Sequence, residues 1–147
     1  MSLKKIDSRA FCWCRSITIN KIPFGITEIP EGAFSYCDNL QITTFGRNGD
    51  IPVGFENNVT TIGERAFAGA SDAYVKIVSK IILGTSLTTI DSTAFQDFGF
   101  IPRSGTEGNY TAEELRIELD LYTPIITDSN YTTYFTNQYI TTSDIKS

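Results

Sequence analysis

The side chains that most often perform chemistry in proteins are scarce in this chain. Its 147 residues include three cysteines and no histidine. Without histidine, neither a serine–histidine nor a cysteine–histidine nucleophilic pair can form, and the commonest general base is missing. Three thiols without an imidazole also make a poor set of zinc ligands. The sequence therefore predicts no metal site.

Acidic side chains do not supply a convincing acid–base pair either. Glu113 and Glu114 are adjacent in sequence, so their side chains diverge on a helix and on a strand alike. Asp91 and Asp97 are expected to be exposed spacers. The sequence contains no glycine-rich phosphate-binding loop and no dinucleotide-binding fingerprint. We therefore expect no enzymatic activity and no cofactor.

A repeated phrase dominates the first two thirds of the chain. It consists of an aliphatic residue, two spacers, Ile, three polar or small residues and then Ala-Phe. It occurs four times, at residues 3–11, 26–34, 59–67 and 87–95. A repeat of this kind predicts a solenoid, in which each unit buries its apolar side only against its neighbours. The phenylalanines are expected to stack as an internal aromatic spine of Phe11, Phe34, Phe67 and Phe95.

The cysteines belong to the same repeat pattern. Cys14 and Cys37 occupy one position in the first two units, three residues after the phenylalanine. We expect both to be small buried residues in adjacent coils, and Cys12 to face outward or to lie in the end coil. A disulfide between Cys14 and Cys37 is geometrically allowed but not required.

The whole unit closely resembles the BspA-like, or treponemal-type, leucine-rich repeat. The most specific part of that pattern, A-F-x-x-C-x-x-[LI], is intact at residues 10–17 and 33–40, and the resemblance extends from residue 3 to about residue 104. It implies a mainly β fold, a right-handed leucine-rich-repeat solenoid of about four coils in residues 1–105. It also implies a non-catalytic protein-interaction or adhesion module.

Residues 106–147 follow the repeats and are predicted to form a C-terminal capping appendage. Alternating apolar and polar side chains predict a strand from Leu115 to Tyr122, and a helix with Thr111 as its N-cap is the alternative. The apolar side of the strand is expected to cover the last coil. Its charged side, formed by Arg116, Glu118 and Asp120, is expected to face solvent or another chain.

Aromatic residues are concentrated beyond this strand. Tyr131, Tyr134, Phe135 and Tyr139 lie among small polar residues, a mixture typical of contact surfaces. They are expected to cap the last coil, to contact a partner, or to do both.

Alternation along the repeat strands also predicts an outer face of the sheet. The expected rows are Ile19, Ile42, Lys80 and Arg103, and next to them Lys21, Thr44 and Ile82. Two exposed isoleucines followed by two basic residues would form a recognition stripe. Alternatively, β-branched residues simply suit strands, or another part of the chain covers them. These residues, with Tyr131, Tyr134 and Tyr139, are the predicted binding residues.

An insertion of ten residues lengthens the second unit before Val59. It contains Asn48-Gly49, a strong signal for a two-residue turn. We expect a small hairpin or loop, either a tolerated surface loop or a binding loop.

Composition limits the partners and the location. The net charge of −5 argues against a nucleic-acid partner, which needs a basic face. The sequence has no stretch of about 20 apolar residues, so we expect no membrane span. It has no hydrophobic segment near Met1, so we expect no signal peptide. We expect a protein partner or a host-surface ligand, at a cell surface or on a virion rather than in the cytoplasm. The alternative function is a structural or decoration component of a virus or phage particle, with neighbouring subunits of the assembly as partners.

Overall fold

The computed structural model describes residues 3–14, 16–37, 40, 42–47, 51, 54–69, 80–96 and 117–135, and the backbone of 145–146. In chain order, the strands and the single helix of these residues are β1 (Glu28–Ile29), β2 (Thr44–Phe45), β3 (Thr61–Ile62), β4 (Lys80–Leu83), β5 (Thr89–Ile90), β6 (Glu118–Leu121), α1 (Tyr131–Tyr134) and β7 (Ile145–Lys146). Within the described ranges, no helix is long and apolar enough to cross a bilayer.

The strands form two parallel sheets. One has the order β1–β3–β5, and the other has the order β2–β4–β6–β7. In the first sheet Ile29 aligns with Ile62, and Ile62 aligns with Ile90. These are the isoleucines of the repeated phrase, and all three are buried. Successive units therefore pair strand to strand in register, as expected for a mainly β repeat fold.

The Ala-Phe segments of successive units also stack on one another. The ring centroids of Phe11 and Phe34 lie 5.2 Å apart, those of Phe34 and Phe67 5.4 Å, and those of Phe67 and Phe95 5.6 Å, with the rings nearly parallel. The backbone sets this spacing, because the amide of each of the first three phenylalanines donates at 2.8 Å to the alanine carbonyl of the next unit. The predicted aromatic spine is confirmed.

The C-terminal segment continues both the sheet and the spine. β6 pairs in parallel with β4, and the apolar side chains of Leu119 and Leu121 are buried. Phe135, immediately after α1, stacks on Phe95 with a centroid distance of 5.1 Å. The strand predicted for this segment is therefore present at Glu118–Leu121, whereas residues 111–116, where the helix was the alternative, lie outside the described residues.

One expectation for this segment is wrong. The expectation that Asp120 faces solvent or another chain fails, because Asp120 is only 4% exposed within this chain. β6 is an interior strand, with β4 on one side and β7 on the other. A side chain in the middle of the sheet therefore has neighbours on both sides, and Asp120 is accommodated by an ion pair described below.

The cysteines only partly follow the prediction. Cys37 is buried, and its thiol donates to the carbonyl oxygen of Phe11 at 2.9 Å. Cys14 was predicted to be buried but is exposed, while Cys12 is half-buried; all three are free thiols. The first unit covers Cys37, whereas no earlier unit packs against Cys14 among the described residues. Position in the stack, rather than position in the repeat, decides which thiol is buried.

Candidate functional site

The predicted recognition stripe is only partly accessible. Ile19 is exposed, but Ile42 is 1% exposed and Thr44 is buried as well. The expectation of two exposed isoleucines in neighbouring units is therefore wrong at Ile42. The insertion after β2 folds back against this strand: the side-chain amide of Asn57 donates to the Thr44 carbonyl at 3.0 Å, and its oxygen accepts from the Gly46 amide at 2.7 Å.

The insertion also contacts a second residue of the predicted stripe. The Lys21 ammonium lies 5.3 Å from the ring centroid of Phe55, a cation–π distance. Both side chains are exposed. The described part of the insertion therefore contacts the first unit instead of projecting freely. The predicted turn at Asn48-Gly49 lies outside the described residues.

Lys80 and Ile82 are half-buried on β4, and Lys80 is held between strands. Its ammonium lies 3.1 Å from Oδ2 of Asp120 and 3.7 Å from Oε2 of Glu118. The hydrogen bond to Asp120 raises the pKa of Lys80 most. Burial opposes this increase, and the charges of Asp120 and Glu118 add to it. Lys80 thus neutralises a buried carboxylate within the sheet.

The tail tyrosines lie against the core. Tyr131 and Tyr134, the first and last residues of α1, are half-buried and pack on the core cluster that contains Phe135. This packing favours the capping alternative for the two tyrosines. Arg103 and Tyr139 lie outside the described residues.

A groove that the sequence analysis did not identify lies beside the Ala-Phe turns of the first three units. Its volume is about 360 Å³, and its walls combine aromatic, basic and acidic side chains: Arg9, Cys12, Trp13, Glu31, Gly32, Ser35, Tyr36, Glu64 and Arg65. Trp13 and Tyr36 occupy the same repeat position, two residues after the phenylalanine. That recurrence is a sequence signal for two adjacent aromatic side chains, although it does not show which way they face. We call it the aromatic groove.

Two aromatic side chains form one wall of the aromatic groove. The Trp13 amide donates to the Ser35 carbonyl at 2.9 Å, which brings the side chains of neighbouring units to the spacing of adjacent strands. The ring centroids of Trp13 and Tyr36 lie 4.3 Å apart with an interplanar angle of 25°. Trp13 is nevertheless 56% exposed. Tyr36 therefore stacks on an indole of which more than half remains accessible.

Charged side chains of both signs form the rest of the wall. A guanidinium nitrogen of Arg9 lies 3.2 Å from a carboxylate oxygen of Glu31, and Glu64 and Arg65 are also exposed in the groove. Two basic and two acidic residues give the lining no net charge. The groove is therefore rich in hydrogen-bonding groups without attracting ions of one sign.

The backbone of the aromatic groove is unusual. Arg9, Trp13, Tyr36 and Arg65 have φ between +53° and +66° and are the non-glycine residues with left-handed backbone among those described. This conformation costs an L-residue other than glycine roughly 1–2 kcal/mol. The repeat position of Arg9 and Arg65 is occupied by Gly32 in the second unit, also at positive φ. Four large side chains thus adopt a backbone conformation that glycine adopts at lower cost, and all four line the aromatic groove.

Metal binding finds no support in the part of the chain that the structure describes. Cysteine, aspartate and glutamate side chains there nowhere gather into a group of three or more that could hold an ion. The side chains that line the aromatic groove offer hydrogen-bonding groups and aromatic rings instead.

Comparison with known proteins identifies the class of repeat. Residues 51–104 match the family described as the BspA type leucine rich repeat region, 6 copies. The match confirms the resemblance to the BspA-type leucine-rich repeat over these residues, and regions of this type suggest repeat-based, generally non-enzymatic interaction or adhesion modules. No curated protein and no solved structure matches the chain. Of the groove residues, Glu64 and Arg65 lie inside the matched range, and Trp13 and Tyr36 precede it.

Proposed function

We propose that the chain is a non-catalytic protein-interaction or adhesion module that contacts its partner through the aromatic groove. Its scaffold is a right-handed leucine-rich-repeat solenoid of about four coils in residues 1–105, with residues 106–147 as a C-terminal cap. Parallel pairing of successive units, the continuous spine and the family match support this scaffold.

The observation that carries the proposal is the exposed stack of Trp13 on Tyr36. Exposed rings of this size bury much apolar area on binding and lose little conformational entropy, so tryptophan and tyrosine are enriched at binding hot spots. Here the rings are held by inter-unit hydrogen bonds and flanked by two arginines and two glutamates. Such a wall is preorganised for recognition.

The remaining predictions take a secondary place in this proposal. Ile19 and Lys21 are exposed and would extend the contact surface, whereas Tyr131 and Tyr134 act in the cap. Display on a cell surface or a virion is the expected location. A decoration component of a virus or phage particle is the alternative, with neighbouring subunits as the partner.

The test measures binding of the intact chain to a panel of purified extracellular-matrix glycoproteins by surface plasmon resonance. The groove variant carries Trp13→Gly and Tyr36→Gly, because glycine tolerates the left-handed backbone at both positions. The control is Phe24→Ala, which removes an exposed aromatic ring that does not line the groove.

We expect the intact chain and the control to bind at least one glycoprotein and the groove variant to lose at least about tenfold in affinity, the effect of one hot-spot residue. Equal affinity of the groove variant and the control would show that the partner binds elsewhere. Absence of binding by the intact chain to the whole panel would overturn the proposal.

A further inference from the structure

We infer that the aromatic groove binds a neutral saccharide, with a sugar ring lying on Trp13 and its hydroxyl groups held by the arginines and glutamates. This inference rests on the proposed function and names the chemical class that the same groove recognises on its partner. Four features of the groove carry it: the contact between the rings, the hydrogen-bonding groups of the wall, the balance of charge and the fixed backbone.

The arrangement of the rings selects a flat ligand. Trp13 and Tyr36 are stacked directly on each other at 4.3 Å, so no slot is left between them for a proline ring or an aliphatic side chain. More than half of the Trp13 side chain nevertheless remains accessible to a ligand. One face of a pyranose ring presents several C–H groups in a plane, and this weakly positive face packs on the electron-rich face of an indole.

The groups around the rings match the rim of a sugar. Neighbouring hydroxyls of a pyranose form a pair of donors and acceptors at fixed spacing. The guanidinium groups of Arg9 and Arg65 present forked donors, and the carboxylates of Glu31 and Glu64 present paired acceptors. Hydrogen bonds that involve a charged group are stronger than those between neutral groups. The wall can therefore satisfy hydroxyl pairs as donors and as acceptors.

The balance of charge argues against the main competing ligands. Two positive and two negative side chains line the groove, and an ion pair already joins Arg9 to Glu31 at 3.2 Å. A strongly acidic peptide would be attracted by the two arginines and repelled by the two glutamates, and a strongly basic peptide would experience the reverse. An amphipathic helix needs a continuous apolar groove, whereas only two of the lining side chains are aromatic. A neutral polyhydroxylated ligand meets no such conflict.

The fixed backbone makes weak individual contacts sufficient. Amides of the groove segments donate to the next unit, Arg9 to Glu31 at 2.9 Å and Tyr36 to Ala68 at 2.6 Å, and the left-handed conformation restricts the direction in which each side chain leaves the chain. Binding then costs little additional ordering of the protein. A saccharide, whose hydroxyls exchange water for protein with small net gain, requires such a preorganised surface.

Trp13 itself provides the assay, because it is the only tryptophan of the chain. The intact chain is titrated with neutral tetrasaccharides of glucose, mannose, galactose, xylose and N-acetylglucosamine while tryptophan emission is recorded, and calorimetry is used for variants that lack Trp13. We expect a saturable change in emission with at least one tetrasaccharide. Arg9→Gln should weaken binding about tenfold or more, as expected for a lost charge-assisted hydrogen bond, and Phe24→Ala should bind like the intact chain.

Arg9→Lys separates geometry from charge. Lysine keeps the positive charge but lacks the planar fork, so it should weaken saccharide binding nearly as much as Arg9→Gln does. Circular dichroism of each variant checks that the fold is retained. If Arg9→Lys binds normally, the guanidinium fork does not hold hydroxyl groups and the assignment of Arg9 is wrong.

The outcome for the saccharide is distinguishable from the outcome for the proposed function. Enzymatic removal of glycans from a glycoprotein that the chain binds should abolish its binding. If the deglycosylated protein binds equally well, the interaction module stands and the saccharide inference is overturned. If tetrasaccharides bind but no glycoprotein does, the inference on the ligand class stands and the protein-interaction function fails. Binding of a proline-rich peptide in place of every tetrasaccharide would also overturn the inference.

Discussion

Replacement of Phe67 by alanine tests whether the aromatic spine holds the repeat units together. Phe67 is 1% exposed and lies between Phe34 and Phe95 at centroid distances of 5.4 and 5.6 Å. Phe45 also packs against it in a T-shaped arrangement, with a centroid distance of 4.9 Å. Large-to-small replacement of a buried phenylalanine costs about 3–5 kcal/mol, and ring pairs add about 0.5–1.5 kcal/mol each beyond burial. We expect a loss of about 5 kcal/mol, near the upper end.

Phe11→Ala is the matched comparison within the same spine. Phe11 is half-buried and makes one stacking contact, to Phe34 at 5.2 Å. Because Phe11 is less completely buried and has one ring pair, its replacement should cost about 3 kcal/mol, less than that of Phe67. Urea denaturation followed by circular dichroism and by Trp13 emission gives both values by linear extrapolation.

The result can contradict the reasoning in two ways. A loss below about 1 kcal/mol for Phe67→Ala would mean that the ring is not part of a close-packed core. A loss for Phe11→Ala that equals or exceeds it would mean that stacking at the middle of the spine is no stronger than at its end. A domain of this size has a free energy of unfolding of only about 5–15 kcal/mol, so the loss expected for Phe67→Ala can unfold it. Phe67→Leu should lose only about 1–2 kcal/mol and therefore provides a variant that stays folded.

Three further outcomes follow from the structure. Maleimide should modify Cys14 well before Cys37, whose thiol is buried and bonded to a carbonyl oxygen; equal rates by mass spectrometry would contradict this. Lys80→Gln should cost about 2 kcal/mol in urea denaturation, less than for a fully buried pair because Lys80 is partly exposed, and Lys80→Arg should restore most of it. Because pairing with Asp120 raises the pKa of Lys80 above 10.5, this stabilisation is fully present below pH 10.5 and is lost as pH rises through the higher folded-state pKa. If Lys80→Gln loses as much stability at alkaline pH as the intact chain does, the Lys80–Asp120 pair is not the cause of that loss. Phe135→Ala should cost about 3 kcal/mol, and no loss in denaturation would show that this ring does not close the spine.

The repeat spacing was enough to predict the parts of the fold that depend on neighbouring units. Ala-Phe recurs at fixed distances from Ile, so the spine and the alignment of Ile29, Ile62 and Ile90 could be inferred before any coordinates. Both result from packing of one unit on the next, and that packing requires only that each unit present the same side chains at the same positions.

The C-terminal unit could not be inferred in the same way. It contributes Phe135 to the spine and β6 to the second sheet, but Tyr134 occupies the place of the alanine. Local alternation predicted a strand there, whereas its parallel pairing with β4 depends on contacts between distant parts of the chain. The burial of Ile42 also depends on distant contacts, because this residue belongs to the core cluster although alternation placed it on the outer face.

The aromatic groove was missed for a different reason. Side-chain type predicts left-handed backbone only for glycine, and to a lesser extent asparagine and aspartate. Arg9, Trp13, Tyr36 and Arg65 give no such signal. The recurrence of an aromatic residue at the positions of Trp13 and Tyr36 was visible, but which side of the turn it would face was not.

The register of the first sheet has a consequence for how proteins of this kind diversify. The aligned isoleucines are separated by 33 residues between Ile29 and Ile62 and by 28 residues between Ile62 and Ile90, yet the pairing is the same. Extra residues are absorbed between the strands, where doubling the length of a flexible loop costs only about 0.6 kcal/mol. Insertions and deletions are thus nearly neutral for the scaffold. Changes of length between the strands can therefore create new surfaces at little cost in stability, whereas substitutions in the stacked rows remove packing between units.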